Sequence, residues 1–273
     1  MAGFAHIEEI RSGFEQYLFT FDEEHVLISD ESLTNPWDRG RTVGSSILTI
    51  KALFPGASIL LTLRDQSTML RSLYVQSLRR GWTLGPVAFL RWDERQVAFR
   101  SFDEDLFPHI DLAFFRYIDL VRLFAESFSR VTVLLYEELA TRPESFIVKL
   151  EAALEAKFGQ AVPQDRDHPR LGLVGVTVLR FLNHFVIGAR RRFVVDFANK
   201  IDRAFYIEYE PFPTWLRKSL AQYFEESNRV LAANLVADIA DYWDTAHARN
   251  VATGTPTRFH SRAGAIKGPA PRE

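Results

Sequence analysis

The clearest signal along the chain is a change of hydrophobic period at residue 64. Residues 58–63, Ser58-Ile-Leu-Leu-Thr-Leu63, form an apolar run with β-branched residues that stops abruptly at Arg64. A polar turn follows, and then a helical pattern that carries Ser72 in an early turn. A short apolar run bounded by turn residues reads as a buried strand, and 3.6-residue spacing reads as a helix. The same alternation recurs elsewhere. Residues 25–29 form a short apolar run before a polar turn and predict a buried strand. Residues 131–135 predict a third strand, between Ser129-Arg130 and Tyr136-Glu-Glu-Leu139.

Helices are expected at 5–19, with Ile7, Ile10, Phe14, Leu18 and Phe19 on one face, and at 45–53, capped by Ser45 and ended by Phe54-Pro55-Gly56. Further helices are expected at 67–80, ending at Gly81, and at 111–128. Pro143 suits the first turn of a helix over 143–158. Residues 174–202 read as one helix carrying Arg190-Arg191-Arg192, and Pro211 and Pro213 precede a helix over 214–233. Residues 32–44 are turn-rich, 82–109 read as irregular helix and loop, and 160–170 as a polar surface loop. Strands alternating with helices indicate a parallel sheet with crossover helices. The expected fold is α/β, a parallel sheet flanked by helices, in one domain over residues 1–245. Residues 246–273 carry five Lys/Arg against one acid, with Gly, Pro and Ala, and predict a disordered basic tail.

Composition narrows the function. With 47 % hydrophobic residues and 23 phenylalanines, the 273-residue chain has material for a sizeable core. A formal charge of −2 disfavours a dedicated nucleic-acid binder, which is usually basic. The absence of cysteine excludes disulfides, zinc–thiolate sites and thiol catalysis. His25, His109 and His184 lack metal-like spacing, so no metal is assigned. No apolar run approaches the roughly 20 residues of a membrane span, and the first residues lack the pattern of a signal peptide. The expected location is cytoplasmic. Oligomeric state is not readable.

The strand–loop–helix from Ser58 to Tyr74, with Arg64 at the strand end and Ser72 eight residues on, resembles the 3′-phosphate-binding segment of PAPS-dependent sulfotransferases. Three further pieces resemble the bacterial, carbohydrate-type branch of that family. Val133-Leu-Leu-Tyr-Glu-Glu-Leu139 with Arg142-Pro143-Glu144 is similar to its strand ending in Tyr-Glu-Asp-Leu and the proline-initiated helix after it. Residues 216–231, with Glu226-Ser227-Asn228, are similar to its closing helix. Ile28-Ser-Asp-Glu-Ser-Leu33 is similar to the strand-end segment that carries the catalytic base. The resemblance covers residues 24–242. It implies a P-loop-kinase-like fold, PAPS as co-substrate, Arg64 and Ser72 on the 3′-phosphate, and Glu31 as base. Arg262-Ala-Gly264 has the minimal form of the family's late Arg-x-Gly segment, which makes Arg262 a further nucleotide-binding candidate.

One family feature has no counterpart. The 5′-phosphosulfate loop, Lys-x-Gly-Thr-Thr or a close variant, should follow the first strand, and nothing before Glu24 has that form. Arg41-Thr-Val-Gly-Ser-Ser46 is superficially like it but comes after the base segment. The expectation is a sulfotransferase fold that is N-terminally incomplete. The implied reaction is sulfuryl transfer from PAPS to a hydroxyl or amine of a small-molecule or carbohydrate acceptor. The alternative is a catalytically inactive, sulfotransferase-like nucleotide-binding or interaction protein. Tyr74, Tyr136 and Glu138 are read as packing and scaffold. The arginine triplet reads as a solvated helix face or as a contact for an anionic acceptor.

Overall fold

A computed structural model describes residues 2–18, 26–29, 43–94, 96–99, 110–158, 171–186, 191–234 and 265–267. The chain divides into two compact units. The first comprises residues 1–63, 116–160 and 226–273; the second comprises 64–115 and 161–225.

The first unit is built on two parallel strands, β1 (Ile59–Leu63) and β4 (Arg130–Leu135), paired from Ile59 opposite Val131 to Leu63 opposite Leu135. Leu61 and Leu63 are buried while Thr62 between them is exposed, the period-2 signature of a strand with one covered face. Helix α5 (Tyr117–Ser127) packs on both strands, with Ile118, Val121 and Phe124 buried. Helix α2 (Val43–Leu53) lies against α5, and α1 (Ala2–Leu18) lies against α2, where the Phe14 ring meets Phe54 edge-on at 5.5 Å. The parallel β1–β4 pair and its helices agree with an α/β class.

Four expectations change along these segments. Residues 26–29 form no strand, and Val26, Leu27 and Ile28 are exposed. β-branched content suits a strand only when a neighbouring ladder takes up its N–H and C=O groups, and this segment joins none. The sheet is mixed, because β5 (Ala265–Lys267) pairs antiparallel with β4. The remainder of the expected tail lies outside the described residues, as do the turn-rich 32–42 and the loop 160–170. The helix expected over 111–128 is broken: a 3-10 turn spans Leu112–Phe115, and α5 starts only at Tyr117. The helix expected to 158 stops at Leu154, because Glu155 adopts a left-handed φ of 53° and ends α7 (Pro143–Leu154).

A buried ion pair ties α6 (Tyr136–Thr141) to α7. Lys149 Nζ donates to Glu138 Oε1 and Oε2 at 2.6 and 2.7 Å, and Ser145 Oγ donates to Oε1 at 2.8 Å. Glu138 is 2 % exposed, so its charge depends on these partners. Removing one partner of a buried pair costs about 3 kcal/mol or more. Lys149→Ala is therefore expected to lower the unfolding free energy by about that amount in urea titration. Glu138→Leu combined with Lys149→Met is expected to recover most of the loss, because no lone charge remains buried.

Among its described residues, the second unit is helical apart from a short hairpin. Helix α3 (Gln66–Arg79) packs on α8 (Leu173–Asn183), and α8 packs on α9 (Arg191–Ala204). The continuous helix expected over 174–202 is thus two helices. The irregular region 82–109 contains α4 (Pro86–Phe89) and the hairpin β2 (Trp92–Asp93) with β3 (Ala98–Phe99). Trp92 and Phe99 meet at 4.9 Å, and Trp92 also meets Trp215 at 5.4 Å on α10 (Thr214–Asn234), whose residues up to Glu225 belong to this unit.

Candidate functional site

Arg64 directly follows the last residue of β1 and is half-buried. Asp65 comes next and caps α3: its Oδ1 accepts the backbone N–H of Thr68 at 2.8 Å. The cap satisfies one of the donors that the first turn of a helix leaves open. Gln66 at the first helical position is 2 % exposed, and its side-chain amide donates to Phe115 O at 3.4 Å, fixing the start of the helix. Leu70, Leu73, Tyr74, Ser77 and Leu78 then form the buried face of α3, and Ser72 projects on the exposed face. At 1.5 Å per residue, Ser72 lies about 9 Å along the axis from Gln66. The guanidinium stands at the helix entrance and the hydroxyl on its open face.

The other expected site residues fall elsewhere. Glu31 and Arg262 lie outside the described residues, as does Arg190. Arg191 and Arg192 open α9, where Arg192 is exposed and Arg191 is half-buried. Glu138 and Tyr74 are buried. The Arg41–Ser46 segment enters the described residues at Val43, where α2 begins two residues before the expected cap at Ser45.

Several residues that pattern reading passed over hold the second unit together. Asp202 near the end of α9 is 4 % exposed and accepts the backbone N–H groups of Gly172 and Gly175, each at 2.8 Å. A carboxylate at a helix N-terminus gains from both the open donors and the dipole of α8. A Cβ on Gly172 would lie 2.5 Å from Ile207 O, and one on Gly175 would lie 2.8 Å from the Asp202 side chain, so both positions need glycine. At the opposite end of α8, Asn183 Nδ2 donates to Leu78 O at 2.7 Å and Trp82 O at 2.9 Å. Gly81, with φ 95°, lies under the Arg191 guanidinium. The signal for Asp202 was available as Gly172 and Gly175 ahead of an apolar helix, but its partner is 27 residues or more away in sequence.

Two further groups stand out chemically. Tyr74 donates to Leu84 O at 3.2 Å, and its hydroxyl also hydrogen-bonds Tyr209. Burial pushes both phenols above the ordinary tyrosine range, while the nearby Arg180 cation opposes the rise. Arg91 is 8 % exposed, takes a left-handed φ of 56°, and buries its Nη1 without a hydrogen-bond partner among the described residues. Both the backbone and the buried charge are costly at that position.

No family model matches this chain, and neither a curated protein nor a solved structure matches it.

Loss of the helix cap by Asp65→Ala is expected to reduce stability by about 1 kcal/mol, measured by urea unfolding. The Tyr74 phenol has a second consequence. In the unfolded chain it ionises near its ordinary pKa of about 10, while in the folded chain it stays neutral well above that. Its contribution is therefore complete below about pH 10 and falls as pH rises further. The stability gap between wild type and Tyr74→Phe should narrow from about pH 9 to about pH 11, measured by denaturant titration at each pH.

Proposed function

We propose that the chain is a PAPS-dependent sulfotransferase that transfers a sulfuryl group to a hydroxyl or amine of a small-molecule or carbohydrate acceptor. The observation that carries this reading is the succession at residues 59–72. A strand of a parallel pair ends at Leu63, Arg64 stands at its carboxyl end, Asp65 caps the next helix, and Ser72 is open on that helix. Carboxyl ends of parallel strands are where α/β folds bind ligands. Arg suits an anionic oxygen group because its planar fork donates two parallel hydrogen bonds.

In this reading Arg64 and Ser72 hold the 3′-phosphate of the donor, with Arg262 as a further contact. The acceptor oxygen or nitrogen attacks sulfur, the bond from sulfur to the 5′-phosphate oxygen breaks, and the 3′,5′-bisphosphate nucleotide leaves. Glu31 takes the acceptor proton. Charge spreads over the equatorial oxygens of the transferring group, so catalysis rests on positioning and on fixed positive charge.

A second reading is favoured by the sequence having no Lys-x-Gly-Thr-Thr run. There the chain is a catalytically inactive relative that binds nucleotide or a protein.

Calorimetry with adenosine 3′,5′-bisphosphate separates these outcomes. Micromolar binding is expected, weakened about 10- to 100-fold by Arg64→Ala and less by Ser72→Ala. Sulfuryl transfer from PAPS, lost in Glu31→Gln while nucleotide binding persists, would establish the enzyme. Binding without transfer supports the inactive relative. A folded wild type that binds no nucleotide overturns both nucleotide-binding readings.

A further inference from the structure

We propose that Arg180 and the paired phenols of Tyr74 and Tyr209 form a site in the second unit for the oxyanion group of a small ligand: a phosphate, a sulfate or a carboxylate. The inference is independent of the proposed sulfuryl transfer. Four segments supply the parts. Tyr74 comes from α3, the Leu84–Gly85 peptide from the loop before α4, Arg180 from the last turn of α8, and Tyr209 from the chain after α9. Tyr74 donates to Leu84 O at 3.2 Å, and a Cβ on Gly85 would lie 3.7 Å from Arg180 Nη2. The phenol and the guanidinium thus flank one peptide unit. Tyr209 hydrogen-bonds Tyr74, and its carbonyl accepts from Arg71 Nη2 at 2.7 Å.

One positive charge is left over here. Arg71 is paired with Glu210 at 3.3 Å, and the other oxygen of Glu210 accepts the backbone N–H of Phe212 at 3.2 Å. Neither α3, α8 nor residues 82–85 contain an acid. Glu208 is exposed and, like Arg180, forms no ion pair among the described residues. Arg180 is half-buried, and its Nε is buried without a hydrogen-bond partner. A partly desolvated cation without a counter-ion is costly. An oxyanion supplies what is missing, because a guanidinium donates two parallel hydrogen bonds to it.

The phenols suit the same ligand. Burial holds both neutral above the ordinary tyrosine range, so they meet an anion as donors and not as phenolates. A hydroxyl proton rotates to suit its partner. With Tyr74 donating to Leu84 O, the Tyr209 proton can turn from Tyr74 to a bound oxygen. Tyr74 lies on the buried face of α3, about 12 Å along the axis from Gln66, whereas Ser72 is on the exposed face. The site is therefore separate from Arg64 and Ser72.

The test is a titration of the full chain, isotope-labelled at arginine nitrogen, with sodium sulfate, sodium phosphate and sodium acetate, each at an ionic strength fixed with sodium chloride. The magnetic resonance signal of the Arg180 Nε–H, assigned by its loss in Arg180→Lys, is followed. A saturable shift is expected, with half-saturation on the order of 1 mM. Tighter binding of sulfate or phosphate assigns the ligand group as tetrahedral, and tighter binding of acetate assigns it as a carboxylate. Tyr209→Phe should weaken binding about tenfold or more, the loss of one hydrogen bond to a charged group. Arg64→Ala should leave it unchanged. A wild-type signal that does not move, or that moves equally with chloride, overturns the proposal and leaves Arg180 a solvated cation. So does a Tyr209→Phe chain that binds like wild type. Loss of the shift in Arg64→Ala also overturns it, by assigning the anion to the strand exit. The wild-type titration decides the question even where a variant fails to fold.

Discussion

Parallel pairing of β1 with β4 places Leu63 opposite Leu135, so both strands end at the same level. Two parallel strands cannot be joined by a tight turn. Residues 64–129 must therefore leave the first unit after Leu63 and return through α5 before β4 can form. Everything between is a consequence of that constraint. Arg64 stands at the strand exit, Asp65 starts α3 at once, and the residues up to Phe115 form part of another compact unit. The position of Arg64 follows from where the chain leaves the sheet.

The second unit is held by hydrogen bonds to backbone at both ends of one helix. Asp202 closes the start of α8, and Asn183 closes its end on the carbonyls of Leu78 and Trp82. Each of these side chains is buried, and each satisfies groups that would otherwise lie open at a helix terminus. The packing is close enough to require glycine at 172 and 175, and the φ of 95° favours it at 81. Helix α8 is thus pinned at both ends, and α9 is tied to its start.

What the sequence made legible follows from range of interaction. β1, β4 and α3 were readable within a residue or two, because an apolar run, a charged stop and a cap all act locally. The places of Arg64 at the strand exit and of Ser72 on the open face of α3 were legible for the same reason. The break between α8 and α9 was not, because apolar residues continue through it. There Asn183 reaches Leu78 O and Trp82 O, 105 and 101 residues away. The apolar triplet Val26, Leu27 and Ile28 failed in the other direction: its local pattern suits a strand, yet a strand exists only with a ladder partner. Glu155 and Arg91 depart from pattern through left-handed backbone at residues with no intrinsic preference for it.

The arginines of the second unit divide by what surrounds them. Arg71 is neutralised by Glu210 at 3.3 Å and donates to Tyr209 O at 2.7 Å, so its charge is spent on cohesion. Arg180 sits beside Tyr74 and Tyr209, whose phenols burial keeps neutral. Arg191 lies over Gly81, just beyond the end of α3, whose last carbonyls carry partial negative charge. A helix end is worth a fraction of a carboxylate to a cation.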